Sequence, residues 1–306
     1  MKSLTVLAAL LALSTSLHAN PPDRPHIDGI AGVRIYVTDM NSSRLFYSAV
    51  TNTKRDCDWC ETQEPSAFRL PSGQFLLLTH MVVKDGISRI AEISFNADNL
   101  KELAHVFKEN KIRYEADVED GVFMMIRVAD PESNLIAFFD KDAPRQFKAY
   151  YPNADSNAAL KERILHVGFV VKNREAMDHF YKDILGFRLY WQGGSAESQT
   201  DWVDMQVPDG TDWIEYMLNV PAGADQQTLG KMNHISFGVA DVRKAGGQLM
   251  ESRLNLRITE EPKIARDGKW QLNLYDPDQT RIELLEFTPV EKPCCADYTS
   301  PYPAPQ

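Results

Sequence analysis

Apolar and polar positions alternate along the chain in two recurring patterns. From Leu165 the chain reads as a half-buried strand, and from Arg174 the period changes. Met177, Phe180, Tyr181, Ile184 and Leu185 fall at i, i+3, i+4, i+7 and i+8, one apolar stripe that predicts a helix over 174–185. Gly186 follows as a C-cap. Three short strands are predicted next, near 187–192, 201–207 and 212–218, with Gly193-Gly194 and Pro208-Asp209-Gly210 as the punctuation between them. The pattern then restarts. A strand over 234–239, a helix over 242–254 and strands near 257–259, 271–275 and 281–287 give a second βαβββ module.

The first half of the chain repeats the second. Gly29-Ile30-Ala31-Gly32-Val33-Arg34-Ile35-Tyr36-Val37 aligns with Arg163-Ile164-Leu165-His166-Val167-Gly168-Phe169-Val170-Val171, and the same offset carries Phe46-Tyr47 onto Phe180-Tyr181. Ile93-Ser94-Phe95 matches Ile235-Ser236-Phe237, and Asp130-Pro131 matches Asp276-Pro277. Four landmarks in one order mark a duplication. The expected fold is α+β, with two tandem domains of paired βαβββ modules. Each domain is a curved, mostly antiparallel sheet with helices outside. The boundaries read as 28–142, a polar linker over 143–160 with Pro144 and Pro152 on or beside it, 161–290, and a Pro/Cys tail over 291–306.

Length and composition agree with two globular domains. The chain has 306 residues, of which 43% are hydrophobic and 25% charged, which excludes a disordered chain. A net charge of −10 argues against a nucleic-acid partner, which needs a basic footprint. Residues 1–19 read as a signal peptide: Met1-Lys2 is a short positive start, the stretch to Leu17 is largely apolar, and Ala19 is a small residue at the cleavage point. The stretch is shorter than the ~20 apolar residues that span a bilayer. The expectation is a periplasmic or secreted protein with no stable membrane anchor after processing. Cys57, Cys60, Cys294 and Cys295 then read as disulfide formers, with three connectivities open. A bond from the 57–60 loop to the tail would staple the tail to the body.

The candidate chemistry lies in the second half. His166 and His234 stand on the first strands of its two modules, and Glu215 and Glu283 on the last strands, with the same 49-residue spacing in each. Alternate strand residues share a face, so Gly168 lies beside His166 and Ser236 beside His234, leaving room for a cavity. Each of the four alone also reads as a polar residue on a solvated strand; their repetition argues for a site. Two imidazoles and two carboxylates suit one divalent metal ion, Zn, Ni, Co, Mn or Fe(II), with positions left for water or substrate. In the first half the equivalent positions hold Gly32, about Leu76, Glu92 and Ala137, a scaffold without the ligands. The expected rim is aromatic, from Tyr190, Trp191, Trp202, Trp213, Tyr216 and Trp270. Arg188, Arg266 and Lys269 are available for a substrate carboxylate, or are solvated surface charge.

With Leu165-His166-Val167-Gly168, His179-Phe180-Tyr181, Leu185-Gly186-Phe187, Met232-Asn233-His234-Ile235, and Tyr275-Asp276-Pro277-Asp278 leading to Arg281-Ile282-Glu283, the chain resembles the vicinal oxygen chelate superfamily of glyoxalase, bleomycin-resistance and extradiol-dioxygenase proteins. The resemblance covers residues 30–140 and 164–287. It implies a metal-dependent enzyme acting on a small-molecule substrate with vicinal oxygens, and leaves homodimerisation open. Similarity to glyoxalase I and related epimerases implies an isomerase or lyase in which the metal stabilises an enediolate and Glu283 or Glu215 is the catalytic base. Against this stands the compartment, since glutathione is largely a cytoplasmic thiol.

Similarity to two-domain extradiol dioxygenases implies instead an Fe(II) triad of His166, His234 and Glu283, with Tyr275 behind it. Two departures count against that: Gly268-Lys269-Trp270-Gln271 holds no histidine where a catalytic one is expected, and Glu215 is a fourth ligand. A third reading is a non-catalytic periplasmic binding protein, which the intact quartet disfavours. The pocket expected beside the metal is formed by Trp213, Tyr275, Trp270, Lys269 and Trp202.

Overall fold

Strands with alternating burial dominate the computed structural model, which describes residues 24–51, 66–84, 86–140, 163–251 and 260–305. The expected signal peptide, the inter-domain linker, the Cys57–Cys60 loop and the strand near 257–259 lie outside the described residues. In the first half β1 (Ile27–Val37), α1 (Met40–Thr51), β2 (Ser66–Arg69) and β3 (Phe75–His80) form one module. The second module is β4 (Ile90–Ala97), α2 (Leu100–Glu109), β5 (Tyr114–Glu119), β6 (Val122–Ala129) and β7 (Leu135–Asp140).

The second half opens with β8 (Arg163–Val170), α3 (Arg174–Asp178), β9 (Arg188–Gly193), β10 (Trp202–Gln206) and β11 (Trp213–Met217). After α4 (Gln226–Met232), its last module is β12 (His234–Val239), α5 (Val242–Glu251), β13 (Lys263–Ile264), β14 (Trp270–Tyr275) and β15 (Arg281–Glu286).

Two mixed sheets result, one curled into a half-barrel, with helices outside. Their orders are β2-β3-β1-β4-β7-β6-β5 and β13-β14-β15-β12-β8-β11-β10-β9. Read from opposite ends, these are one topology. In both sheets the first and last strands of each module pair in parallel (β1 with β3, β4 with β7, β8 with β11, β12 with β15), and the two modules join through an antiparallel ladder. The remaining pairs are antiparallel. Among the described residues no helix is long and apolar enough to cross a membrane.

One apolar core runs through both halves, with Phe95 of β4 edge-on to Phe187 at 5.5 Å. The repeated landmarks meet at this junction. Tyr47 on α1 donates its hydroxyl to Asp276 Oδ2 in the other half at 2.8 Å, and Tyr181 reciprocates to Asp130 Oδ2 at 3.2 Å. Each aspartate also closes its own turn by accepting backbone amides, Glu132 and Asn134 for Asp130, Asp278 and Thr280 for Asp276. The Gln74 side chain knits β1 to β8, donating to the Ile30 and Ile164 carbonyls and accepting from the Ile164 amide.

Three local details differ from the sequence reading. The helix expected over 174–185 is α-helical only through Asp178, and His179–Ile184 winds as a wider π-helix. Leu185 N–H accordingly reaches back five residues to the Phe180 carbonyl. The short α4 is an element additional to the two βαβββ modules; Asp225 caps it by accepting the Thr228 amide. Finally, Cys294 is bonded to its neighbour Cys295, so neither is left to staple the tail to the 57–60 loop. The tail is held instead by the Thr299 amide on the Tyr190 carbonyl and by the Tyr298 hydroxyl on Asp267.

Candidate metal centre

Strand register alone brings the four expected ligands to one place. Across β15, β12, β8 and β11, one row of paired residues runs Glu283, Ser236, His166, Trp213, and the next runs Arg281, His234, Gly168, Glu215. Members of both rows lie two residues apart on each strand and so point to the same face. The two histidines therefore sit diagonally across the β8–β12 ladder with a small residue opposite each. Gly168 is required there: a Cβ on it would overlap the His234 ring, well inside van der Waals contact.

The donor atoms converge. His166 Nε2 lies 2.9 Å from His234 Nε2, 3.2 Å from Glu283 Oε2 and 3.6 Å from Glu215 Oε2, and Glu215 Oε2 is 3.0 Å from His234 Nε2. His166, His234 and Glu283 are buried, with one donor atom from each lying within 4.8 Å of the others, a group able to hold a metal ion. His234 Nδ1 is 2.9 Å from the Met232 carbonyl, which assigns the proton to Nδ1 and turns the Nε2 lone pair inward. Two ring nitrogens so close repel unless a cation or proton lies between them. Two carboxylates beside them supply the charge a cation neutralises, so the donor set fits a divalent metal.

Electrostatics follow burial and these contacts. Burial, with the Arg281 guanidinium, pushes His234 below its usual value. Burial would raise both glutamates, but the neighbouring cations outweigh it: His234 and His166 hold Glu215 below the usual carboxylate range, and His166 and Arg281 hold Glu283 well below it. Asp204, opposite Glu215 on β10, is pushed well upward by burial and by the Glu215 charge.

A cavity of about 340 Å³ opens on this centre, lined by His166, Glu215 and Glu283 together with Trp191, Trp202, Trp213, Asp204 and Arg281. Trp213 stacks on His166 with ring centres 4.7 Å apart. Trp202 and Trp213 thus wall the cavity. Lys269, Tyr275 and Trp270 are not in its wall. Lys269 is fully buried behind Trp213, its Nζ 4.7 Å from that ring and 5.0 Å from Tyr298. Tyr275 faces the same side of its sheet but leans on Glu260 at 3.5 Å. Trp270 turns to the opposite face of β14, where Arg243 of α5 covers its ring at 3.8 Å. Tyr216, expected at the rim, lies in the core against Phe169.

Sequence reasoning passed over Asp204, Gln271, Asn273 and Arg281, all in the cavity wall. A signal existed for three of them: Asp204, Gln271 and Asn273 each stand between apolar neighbours, as in Gln271-Leu272-Asn273-Leu274.

The first half holds a filled copy of this site. In register, Gly32 takes the place of His166, Glu92 that of His234 and Ala137 that of Glu283. The counterpart of Glu215 is Leu77, opposite Arg34, one position beyond the Leu76 expected from the repeat. Phe75 folds over Gly32 so closely that a Cβ there would overlap its ring. Glu92 is buried and bonded to Arg127 Nε at 2.5 Å, with Arg34 Nε at 3.9 Å.

Residues 163–284 match the model of the Glyoxalase/Bleomycin resistance protein/Dioxygenase superfamily. A relative is the probable chloroplastic lactoylglutathione lyase of Arabidopsis thaliana, 28% identical over 139 residues, which are 44% of this chain and 39% of that protein. The aligned part thus spans about two fifths of the relative's length. Among solved structures, an extradiol ring-cleaving dioxygenase from B. fuscum superposes with a TM-score of 0.64 at 18% identity, over 87% of this chain and 74% of that one. Homoprotocatechuate 2,3-dioxygenase from Arthrobacter globiformis superposes with a TM-score of 0.62 at 19% identity, over 87% and 82%. At such identities the likeness is one of fold.

Proposed function

From the match of residues 163–284 to the glyoxalase, bleomycin-resistance and dioxygenase superfamily, we propose that the chain is a metal-dependent isomerase, lyase or epimerase of the glyoxalase I type. The substrate is a small molecule with vicinal oxygens. His166, Glu215, His234 and Glu283 hold one divalent cation. The observation that carries this reading is the fourth donor: Glu215 reaches within 3.0 Å of His234 Nε2. A cation bound there supplies Lewis-acid stabilisation to charge developing on the substrate oxygens.

The chain's own residues supply the rest. Glu215 keeps 14% of its side chain exposed against 7% for Glu283, and takes the role of the base that accepts a proton from the substrate carbon. Glu283 stays with His166 at 3.2 Å. Trp213 and Trp202 exclude water from one side of the cavity. Export through residues 1–19 belongs to the same proposal, and a mature protein beginning after Ala19 is the expected result of N-terminal sequencing.

The test is metal analysis followed by proton exchange. Wild type carries one metal per chain and exchanges a substrate carbon-bound proton with deuterated solvent, using the hemithioacetal of a 2-oxoaldehyde as first probe. Glu215→Gln lowers that exchange by roughly 10²–10⁴-fold with the metal retained. Exchange unaffected by Glu215→Gln overturns the assignment of the base, and a protein that takes up no metal overturns the whole reading. One observation favours a second reading, extradiol ring cleavage with Fe(II): His166, His234 and Glu283 by themselves form a compact buried triad. That reading requires Glu215→Ala to keep ring-cleaving activity on a catechol.

A further inference from the structure

Three cations line the cavity beside the donors: Lys263, Arg266 and Arg281. Two of them are committed. Lys263 Nζ lies 2.9 Å from Glu260 Oε2. Arg266 donates from Nε to the Gly194 carbonyl at 3.1 Å and from Nη2 to Cys294 Sγ at 2.7 Å. Arg281 has no ion pair or hydrogen bond among the described residues, and its Nε is buried without a partner. It lies near the charges of Glu283 and Glu260 and bonds to neither.

A guanidinium nitrogen kept from water without an acceptor is unfavourable, so a purely structural arginine here would be paired. The sheet fixes its direction. Arg281 shares a face of β15 with Glu283 and stands opposite His234 in the β12–β15 ladder, so it opens on the cavity that the metal donors share. Trp202 and Trp213 give that cavity an apolar wall.

We infer that Arg281 is a specificity-determining residue that receives a carboxylate, and that the substrates are small carboxylate-bearing molecules whose apolar body lies on Trp202 and Trp213. A planar guanidinium fork matches a carboxylate in two parallel hydrogen bonds. The placement of the vicinal oxygens on His166, Glu215, His234 and Glu283 rests on the proposed metal site; the carboxylate contact does not.

The experiment compares two probes of one shape, 3,4-dihydroxybenzoate and its neutral amide, by quenching of tryptophan fluorescence in the full-length protein. Both are measured with zinc bound, which is redox-inert, and again after chelation. The expected result is at least tenfold tighter binding of the carboxylate in wild type, persisting in some measure without zinc. Arg281→Gln abolishes the preference and leaves amide binding unchanged, while Arg281→Lys retains part of it. Far-UV circular dichroism of both variants checks that they fold. Equal binding of the two probes by wild type, or a preference that survives Arg281→Gln, overturns the inference. Absence of stoichiometric zinc with the carboxylate preference intact overturns the metal reading and leaves the Arg281 assignment standing.

Discussion

Replacing Gly168 with alanine tests whether strand register builds the proposed metal centre. The added methyl occupies space held by the His234 ring, overlapping Cε1 and both nitrogens. The ring has no free direction of retreat, because His234 is fully buried and its Nδ1 is tied to the Met232 carbonyl at 2.9 Å. Forcing a methyl into such a site destabilises by about 1–3 kcal/mol, and breaking the Met232 hydrogen bond adds about 1 kcal/mol. At about 2–4 °C per kcal/mol for a chain of this size class, Tm falls by roughly 5–15 °C.

The effect on metal is larger. A displaced imidazole removes one donor outright, so affinity drops by more than the ~10–100-fold seen when only a ligand's outer contacts are disturbed. Competition with a chromophoric chelator reads the affinity, and a thermal melt of the chelated protein reads the stability. Gly247→Ala is the control: nothing lies within 4 Å of a Cβ there, on the exposed side of α5, and the change stabilises by about 0.5–1 kcal/mol. If Gly168→Ala binds zinc with unchanged affinity, His234 does not occupy the position described and the argument from register fails.

Other consequences are open to measurement. His234→Ala abolishes stoichiometric metal with far-UV circular dichroism unchanged, whereas Glu92→Ala in the first half leaves metal content untouched and lowers Tm, because Arg127 loses its buried partner; the reverse pattern would exchange the roles of the halves. Tyr47→Phe removes one of three donors to the buried Asp276 and destabilises by about 1–2 kcal/mol in urea unfolding. Burial raises Asp276 from an ordinary value near 3.8 to about 6, so its contribution to stability is complete below about pH 4 and is lost as pH rises through 6. Asp276→Asn, measured in the same metal state, removes that part of the fall in stability between pH 4 and 6; an unchanged pH profile would refute the assignment.

Much of this architecture is legible in the residues because its periodicities are local. The strand of His234–Val239 and the modules around it follow from alternation and turn residues, and the quartet follows from two strands repeated at one spacing. Details that depend on partners are not legible. Phe46-Tyr47 and Asp276-Pro277 stand out as repeats, but nothing local says that Tyr47 bonds to Asp276. A stripe at i, i+3, i+4 fits one turn of either α- or π-helix, which is why His179–Ile184 reads as ordinary helix.

Counting residues across loops places the Glu215 counterpart at Leu76, whereas hydrogen-bonded register places it at Leu77. In a strand, one residue is the difference between the two faces. The face of Trp270 is legible, since it alternates with Leu272 and Leu274, both in the core. The place of Lys269 is not, for a lysine that is fully buried against aromatic rings has no sequence signature.

The filled copy in the first half explains how one half keeps a site while the other keeps only its frame. The frame is the pair of rows across four strands, and it places eight side chains on one face whatever their chemistry. In the second half those places hold four candidate donors, a glycine and a serine that leave space, a tryptophan that walls it, and Arg281. In the first half Gly32 gives up its space to the Phe75 ring, Leu77 and Ala137 replace the carboxylates, and Arg34 and Arg127 neutralise Glu92.

Cations that a metal would otherwise supply come there from the chain, so that face is stable by internal pairing. The second half has Arg281 beside its donors, in the row of His234, but among the described residues that guanidinium bonds to none of them. Its donor set is instead held by strands whose outer surfaces pack into the shared core, and by turns that the first half clasps through Tyr47 and Thr38 on Asp276 and Asp278. Asp276-Pro277-Asp278 leads directly into β15, which carries Arg281 and Glu283. A contact made by the filled half therefore bears on the strand that presents one candidate metal donor and Arg281. That mechanical link gives the first half a role in the site without a single ligand of its own.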